Sequence, residues 1–490
     1  MPLHYLRLFV STWKHFLLKS PQHNHFEFYE NLRGTDMKLH IVSKEIIKPS
    51  SPTPDDSKHF RLSLLDQLAP PSYESLLLFY HSDIIDHRVS VSDRSHQLKK
   101  SLSDALTRFY PLAGRIKDNL TIDCTDSGAV YVEAQINCRL ADFLEKPDGE
   151  AARKFVPAEF EAKQVNADYF LLLVQSSFFN CGGLAIGVCL SHKIADAATL
   201  STFVKGWAAA SLGSGQAVFR LYDPSALLPP REFSSLMLPD VNFTKDKCVI
   251  KRFVFDAAKI AALQTISAST GVQQPTREEA VTALIWKCAT NASRSNSGYS
   301  KLSVLSQCVN IREKIVPPLP DNSVGNLVGY FVAQKDESDI ELQGLVHELR
   351  KETQEFSKNY INKLQREDAL EVITEHFKDA ISILISHDLE LYISSNLYCN
   401  SLLYEINFGW GKPTWVTIPR GSRDQKNVVQ LVDARKGDGS VEAWVSLREE
   451  DMALFERDEE LLAYASVNPQ CVVKIFSLES SEFQLSTRNC

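Results

Sequence analysis

The stretch Ala185–Trp207, AIGVCLSHKIADAATLSTFVKGW, changes its period in the middle. Ile186, Val188 and Leu190 alternate with smaller residues, as in a strand, whereas Leu200, Phe203, Val204 and Trp207 recur at helical spacing. His192 stands where one period yields to the other. A strand end that opens into a helix holds a side chain rigidly from both sides, which suits a reactive group. His192 and Asp196 form an H-x-x-x-D pentad that occurs nowhere else in the chain. Two readings fit it: an imidazole general base, or a buried histidine hydrogen-bonded at a strand end. At i+4 Asp196 would reach His192 if both lay on one helix. With one residue on the strand end and the other in the first helical turn, the side chains are able to diverge. An acid there also suits the positive end of the helix dipole.

Working outward, short apolar strands alternate with amphipathic helices. Lys38–Pro49 reads as a strand closed by a Pro/Ser cluster, and Ser75–Tyr80 as a buried strand. Leu98, Leu102, Ala105, Leu106 and Phe109 mark a helix face stopped by Pro111. Leu120–Cys124 and Ala129–Ala134 flank Asp126-Ser127-Gly128, a hairpin signal. Tyr169–Phe179 and Ala185–Leu190 are strands on either side of Asn180-Cys181-Gly182-Gly183. Leu212–Pro239 is loop-rich, with four prolines, and reads as a crossover. Beyond it come strands at Lys251–Phe255 and Ser303–Asn310. Helices are expected at Ala257–Ser267, Glu278–Ala289, Leu342–Lys363 and Glu449–Ala465. A hairpin of Val428–Val432 with Val441–Ser446 turns at Gly437-Asp438-Gly439. This interleaving predicts a mixed α/β architecture.

A length of 490 residues exceeds one ordinary core, so two domains are expected. A hydrophobic share of 44% and a charged share of 23% are those of a globular chain. The net charge of −8 and the lack of a Lys/Arg cluster argue against a nucleic-acid partner. Runs such as SLLLFY and YFLLLV are too short for a membrane span. The 10 cysteines include no C-x-x-C pair, so no zinc site or disulfide framework is expected and a reducing cytosol is. Residues 1–36 are apolar and basic, with no acid before Glu27. They read as an extension outside the body of the protein, a targeting peptide being the alternative.

A second informative run lies downstream in SLLYEINFGWGKPTW, at Asn407–Gly411. Two glycines around one tryptophan predict a tight bend pinned by a large ring. Together, HKIAD and NFGWG resemble the His-x-x-x-Asp and Asp-Phe-Gly-Trp-Gly motifs of the BAHD acyltransferases of plants. KLHIVSKEIIKPSSPTP, LSLLDQL, LTRFYPLAGRI, PTREEAVTALIWK, QCVNIRE and SVEAWVSL follow in that family's order. The likeness runs from Met37 onward and is strongest to the acetyl-transferring branch.

The resemblance implies two domains of similar fold, each like chloramphenicol acetyltransferase, with a channel between them. The expected division is 37–211, a crossover at 212–245, and 246–490. It implies acyl transfer from a coenzyme A thioester, acetyl-CoA above all, to the hydroxyl of a polycyclic alkaloid or terpenoid, by a monomer. His192 would take the hydroxyl proton, and no acyl-enzyme is implied. Asp196 would turn away to pair with Arg312. Thr276 and Arg277 match positions near the coenzyme phosphates; they fit equally a helix cap with a solvated arginine. Lys251 and Arg252 read as surface charges, with phosphate binding as the alternative. No metal is required. Asn407 departs from the family, which has Asp there, while Phe408, Gly409, Trp410, Gly411 and Pro413 agree. Asn keeps the hydrogen-bonding capacity but loses the charge. That leaves open a catalytically silent binding protein, as well as a bulkier acyl donor or an amine acceptor.

Overall fold

The computed structural model describes residues 37–81, 89–157, 169–213, 223–231, 247–299, 301–320, 322–335, 340–364, 366, 368–386, 389–398, 402–419, 426–435 and 437–471. The expected extension at 1–36 and most of the crossover lie outside the described residues. The first half supplies β1 (Leu39–Ile47), β2 (His59–Arg61), β3 (Tyr73–Tyr80), β4 (Arg115–Ile116), β5 (Thr121–Asp123), β6 (Ala129–Ile136), β7 (Leu172–Phe179) and β8 (Leu184–Ser191). The second half supplies β9 (Cys248–Phe255), β10 (Leu302–Asn310), β11 (Val328–Lys335), β12 (Leu389–Tyr398), β13 (Trp415–Thr417), β14 (Val428–Asp433), β15 (Val441–Arg448) and β16 (Ala465–Val467). A six-stranded sheet runs β1-β6-β7-β8-β3-β13, a seven-stranded one β11-β10-β12-β14-β15-β9-β16, and a small sheet β2-β5-β4. The architecture is mixed α/β around two principal sheets.

Continuous apolar runs become the sheet centres. Leu76 to Tyr80 of β3 are all fully buried, as expected of a strand covered on both faces. Burying one such leucine stabilises by about 1.5–3 kcal/mol. The helices Val91–Arg108 and Ala197–Ser211 pack together over this sheet. Trp207 locks them: its indole N–H donates to Ser101 Oγ at 3.0 Å, and Phe203 meets Phe109 edge-on at 5.3 Å. In the other sheet, the helix Arg277–Ser297 lays Ala280 to Trp286 into the core.

β13 comes from the second half of the chain but pairs antiparallel with β3 of the first sheet. Trp415 stacks on Phe79 at 5.3 Å and donates from its indole to Glu442 of β15 at 3.2 Å. Arg252 completes the joint. It is 2% exposed, pairs with Glu442 at 3.0 Å and lies over the Trp415 ring. Its reading as a surface charge is therefore corrected. Strand alternation sends Arg252 inward, where Glu442 pairs with it, while Lys251 pairs with Glu456.

Two further expectations fail. β5 and β6 do not form a hairpin: β5 pairs with β2 and β4, and β6 with β1 and β7. The turn signal is real, since Asp126 has a φ of 54°, but its carboxylate bonds to Thr53 and the chain changes sheets there. The acidic segment at 449–465 forms two helices, Glu449–Phe455 and Glu459–Tyr464. Asp458 starts a new helix by accepting the Leu461 N–H at 2.9 Å.

Candidate active site

His192 follows directly on β8, and its N–H donates to Ser72 O at 2.7 Å. The ring is oriented from the other sheet. Asn326, just before β11, gives Nδ2–H bonds to the His192 carbonyl at 2.6 Å and to Asp66 Oδ1 at 2.9 Å. With its amide nitrogen so committed, Asn326 presents Oδ1 to His192 Nδ1 at 2.7 Å. That oxygen only accepts, so Nδ1 carries the hydrogen and Nε2 is left as the basic nitrogen. Asp66 sits behind Asn326 and accepts from Ser63 N at 2.9 Å, Ser63 Oγ at 2.7 Å and Asn326 N at 2.6 Å. Burial pushes the Asp66 carboxyl up, against these hydrogen bonds. Gly325 makes the close approach possible: its φ is +132°, and a Cβ there would lie 3.2 Å from the Asp66 oxygens.

At the opposite edge of the ring, Nε2 lies 2.9 Å from Glu74 Oε1, on β3. His192 is 5% exposed, while the Glu74 side chain keeps 21%. Burial disfavours the imidazolium and is the largest single influence. The charge and hydrogen bond of Glu74, the Asn326 bond and the charge of Asp196 together outweigh it, so the His192 pKa is raised. Lys193 points away and donates to the carbonyls of Gln67 at 3.0 Å and Ala69 at 3.1 Å.

Asp196 does not bond to His192. It caps the helix Ala197–Ser211 by accepting Thr199 N–H at 2.9 Å, and it takes both arms of Arg312, at 2.7 and 3.0 Å. The Leu327 N–H adds a further bond at 3.0 Å. Burial raises the Asp196 carboxyl, but Arg312 and the two N–H bonds win and hold it below its ordinary value. Arg312 also donates to the carbonyls of Ser323 and Gly325, both at 3.1 Å. This buried pair crosses between the sheets.

Asn407 lies elsewhere. Its Oδ1 accepts the N–H of Gly409 at 2.8 Å and of Gly411 at 3.0 Å, closing a turn in which the glycines have φ of 119° and 104°. Phe408 fills a pocket against Trp207 at 4.8 Å, and Trp410 stacks on Phe408 at 5.8 Å. Tyr80 O–H donates to Ile406 O at 3.2 Å. Tyr80 ends β3, whereas Tyr73 at its start is opposite Ser191. Seven residues at about 3.3 Å each put the turn roughly 20 Å from His192.

Thr276 caps the helix Arg277–Ser297 in a box with Glu279. Arg277 is engaged by Glu278 at 2.8 Å, by Asp433 at 2.6 Å and by the Gly439 carbonyl at 3.2 Å. The sequence thus led to His192, Asp196 and Arg312, which the fold brings together. It did not lead to Glu74, Asn326 or Asp66. Their signals were faint: one acid beside an apolar strand, a Gly-Asn step before another, and Ser63-x-x-Asp66 in an apolar helix.

The sequence model described as Transferase family matches residues 37–462. The chain is 40% identical over 446 residues to the BAHD acyltransferase BIA1 of Arabidopsis thaliana, covering 89% of this chain and 100% of that protein. It is 35% identical over 445 residues to the limonoid 21-O-acetyltransferase of Melia azedarach, covering 88% and 99%. The crystal structure of vinorine synthase superposes with a TM-score of 0.75 at 32% identity, covering 89% of this chain and 100% of that one. The pairing of HKIAD with NFGWG on this two-sheet frame therefore has a home: the chain belongs to the transferase family, as a BAHD acyltransferase.

Proposed function

We propose that the chain transfers an acetyl group from acetyl-CoA to a hydroxyl of a polycyclic alkaloid or terpenoid of plant specialised metabolism, with His192 as general base. The observation that carries this is the Nδ1–H held by Asn326, which leaves Nε2 basic. A neutral alcohol is a poor nucleophile, and removing its proton during attack contributes about 100- to 10,000-fold. The alcohol oxygen bonds to the thioester carbonyl carbon, the C–S bond breaks, and the thiolate leaves with the proton from Nε2. Asp196 and Arg312 hold the two sheets in register behind the ring. Asn407, Gly409, Trp410 and Gly411 shape a remote turn. Because Asn407 works there as an acceptor, its lost charge gives a silent binding protein little support. Similarity to the limonoid 21-O-acetyltransferase and to vinorine synthase supports the acceptor class.

In this reading 37–211 and 246–490 are the two lobes, joined by 212–245, with β13 lent across, and the reaction runs in a channel between them. Thr276 and Arg277 would meet the coenzyme phosphates at a helix N-terminus. What supports this is location alone: Asp433 ends β14 at the sheet end from which β10 leads to Arg312, and a phosphate would have to take the Arg277 guanidinium from Asp433 and Glu278. A cytosolic monomer is the proposed working form. No helix of the described residues is long and apolar enough to cross a membrane. The test is release of coenzyme A thiol from acetyl-CoA with a panel of alcohols, the products being read by mass. Absence of turnover with every acyl-CoA and alcohol tried would refute the reading.

A further inference from the structure

The Glu74 carboxylate meets the His192 ring at 2.9 Å, on the edge that the acceptor hydroxyl needs. The contact joins β3 to the end of β8, adjacent antiparallel strands in which Glu74 is opposite Leu190. The other edge is fixed from the second sheet by Asn326 and, through it, Asp66. The imidazole is thus clamped between two oxygens on opposite sides.

We propose that Glu74 is a positioning residue of the acyl transfer: its carboxylate holds the Nε2 edge of His192 in the free protein and yields that edge to the acceptor hydroxyl. This rests on His192 being the general base. Glu74 makes and breaks no covalent bond. With Nδ1–H already committed, a carboxylate at Nε2 favours a proton on that nitrogen, in keeping with the raised His192 pKa. That proton must leave before the hydroxyl can be deprotonated. During attack the alcohol proton moves to Nε2, and the charge of Glu74, still beside the ring, steadies the resulting imidazolium until the thiolate takes the proton.

The other groups around this pair do not replace it. Asp196 adds negative charge but is closed on Arg312. Lys193 is turned to backbone carbonyls. Cys308 of β10 and Tyr330 of β11 are within charge reach of Glu74, and burial pushes both up, leaving them neutral near pH 7. Glu74 is therefore the group that sets how acidic the medium can be before the base is lost.

The test is Glu74→Gln in the full chain. Two quantities are read against pH: kcat/KM with acetyl-CoA and an accepted alcohol, and the imidazole signal of His192 by NMR without substrate. The acidic limb and the NMR midpoint should both move down by about 1 to 3 pH units, the size expected on removing an opposite charge at contact distance. Glu74→Asp, which keeps the charge, should restore most of the limb. An unmoved limb and midpoint in Glu74→Gln would overturn the proposal. The base reading fails separately, if His192→Ala retains turnover.

Discussion

The two motifs that mark this chain sit at opposite ends of one strand and are built in contrasting ways. Around His192, partners arrive from three places: Glu74 on β3, Asn326 before β11, and Asp66 behind it. Each bond is polar, several involve charge, and the ring nitrogens face both sheets. Around Asn407 the motif side chain closes its own turn, Oδ1 taking the N–H groups of Gly409 and Gly411, while neutral donors from afar anchor the carbonyls: Gln97 and Ser211 on Phe408 O, and Tyr80 on Ile406 O. Aromatic packing of Phe408 on Trp207 and of Trp410 on Phe408 completes it. A motif side chain bonded by a carboxylate and an amide from distant segments is suited to chemistry, and one spent on its own backbone is suited to shape. Motif strength in the sequence does not separate the two; position along β3 does.

The sharpest way to break this contrast is His192→Ala. Turnover should fall by about 100- to 10,000-fold while the thermal midpoint changes little, as measured by coenzyme A release and by melting. A variant as active as the parent would erase the distinction. Next, Arg312→Ala leaves the Asp196 carboxylate buried without its cation and should cost about 3–5 kcal/mol in chemical denaturation. Its pH dependence has a definite sign. Asp196 is held below its ordinary value of 3.8, so its contribution is present above that pH and is lost as the medium falls toward the folded value. The gap between the parent and Asp196→Asn should therefore close in acid.

Smaller effects belong to the turn. Gly409→Ala places a Cβ 3.0 Å from Gln97 Nε2 at a φ of +119° and should cost about 1–3 kcal/mol of stability. Asn407→Asp keeps the acceptor oxygen and should change stability by about 0.5 kcal/mol or less, with kcat nearly constant. A large gain in rate from that substitution would place the turn in the chemistry after all.

Much of this was legible in the chain. The period change at His192 located the strand and the helix, and NFGWG located the bend, because periodicity and glycine chemistry are local. Their elements left Asp196 able to diverge from His192, and family resemblance supplied both its turning away and its meeting with Arg312. Glu74 and Asn326 were not legible, since their partners are 118 and 134 residues away and no local pattern reports such a meeting. The failed β5–β6 hairpin teaches the same limit: a turn signal states that the chain bends, not which sheet it joins. Arg252 was misjudged because a charge on a strand reads as exposed until its partner Glu442 and the Trp415 ring are found.

β13 carries a consequence for how the protein is made. The ribosome releases the first half early, yet the edge of its sheet is completed by Trp415–Thr417, near the end of translation. Until then Leu77 to Phe79 lack their last neighbour, and domain-by-domain folding during synthesis cannot finish. A truncated gene ending before that strand should yield an insoluble or chaperone-held product, and two separately expressed halves should need each other to mature.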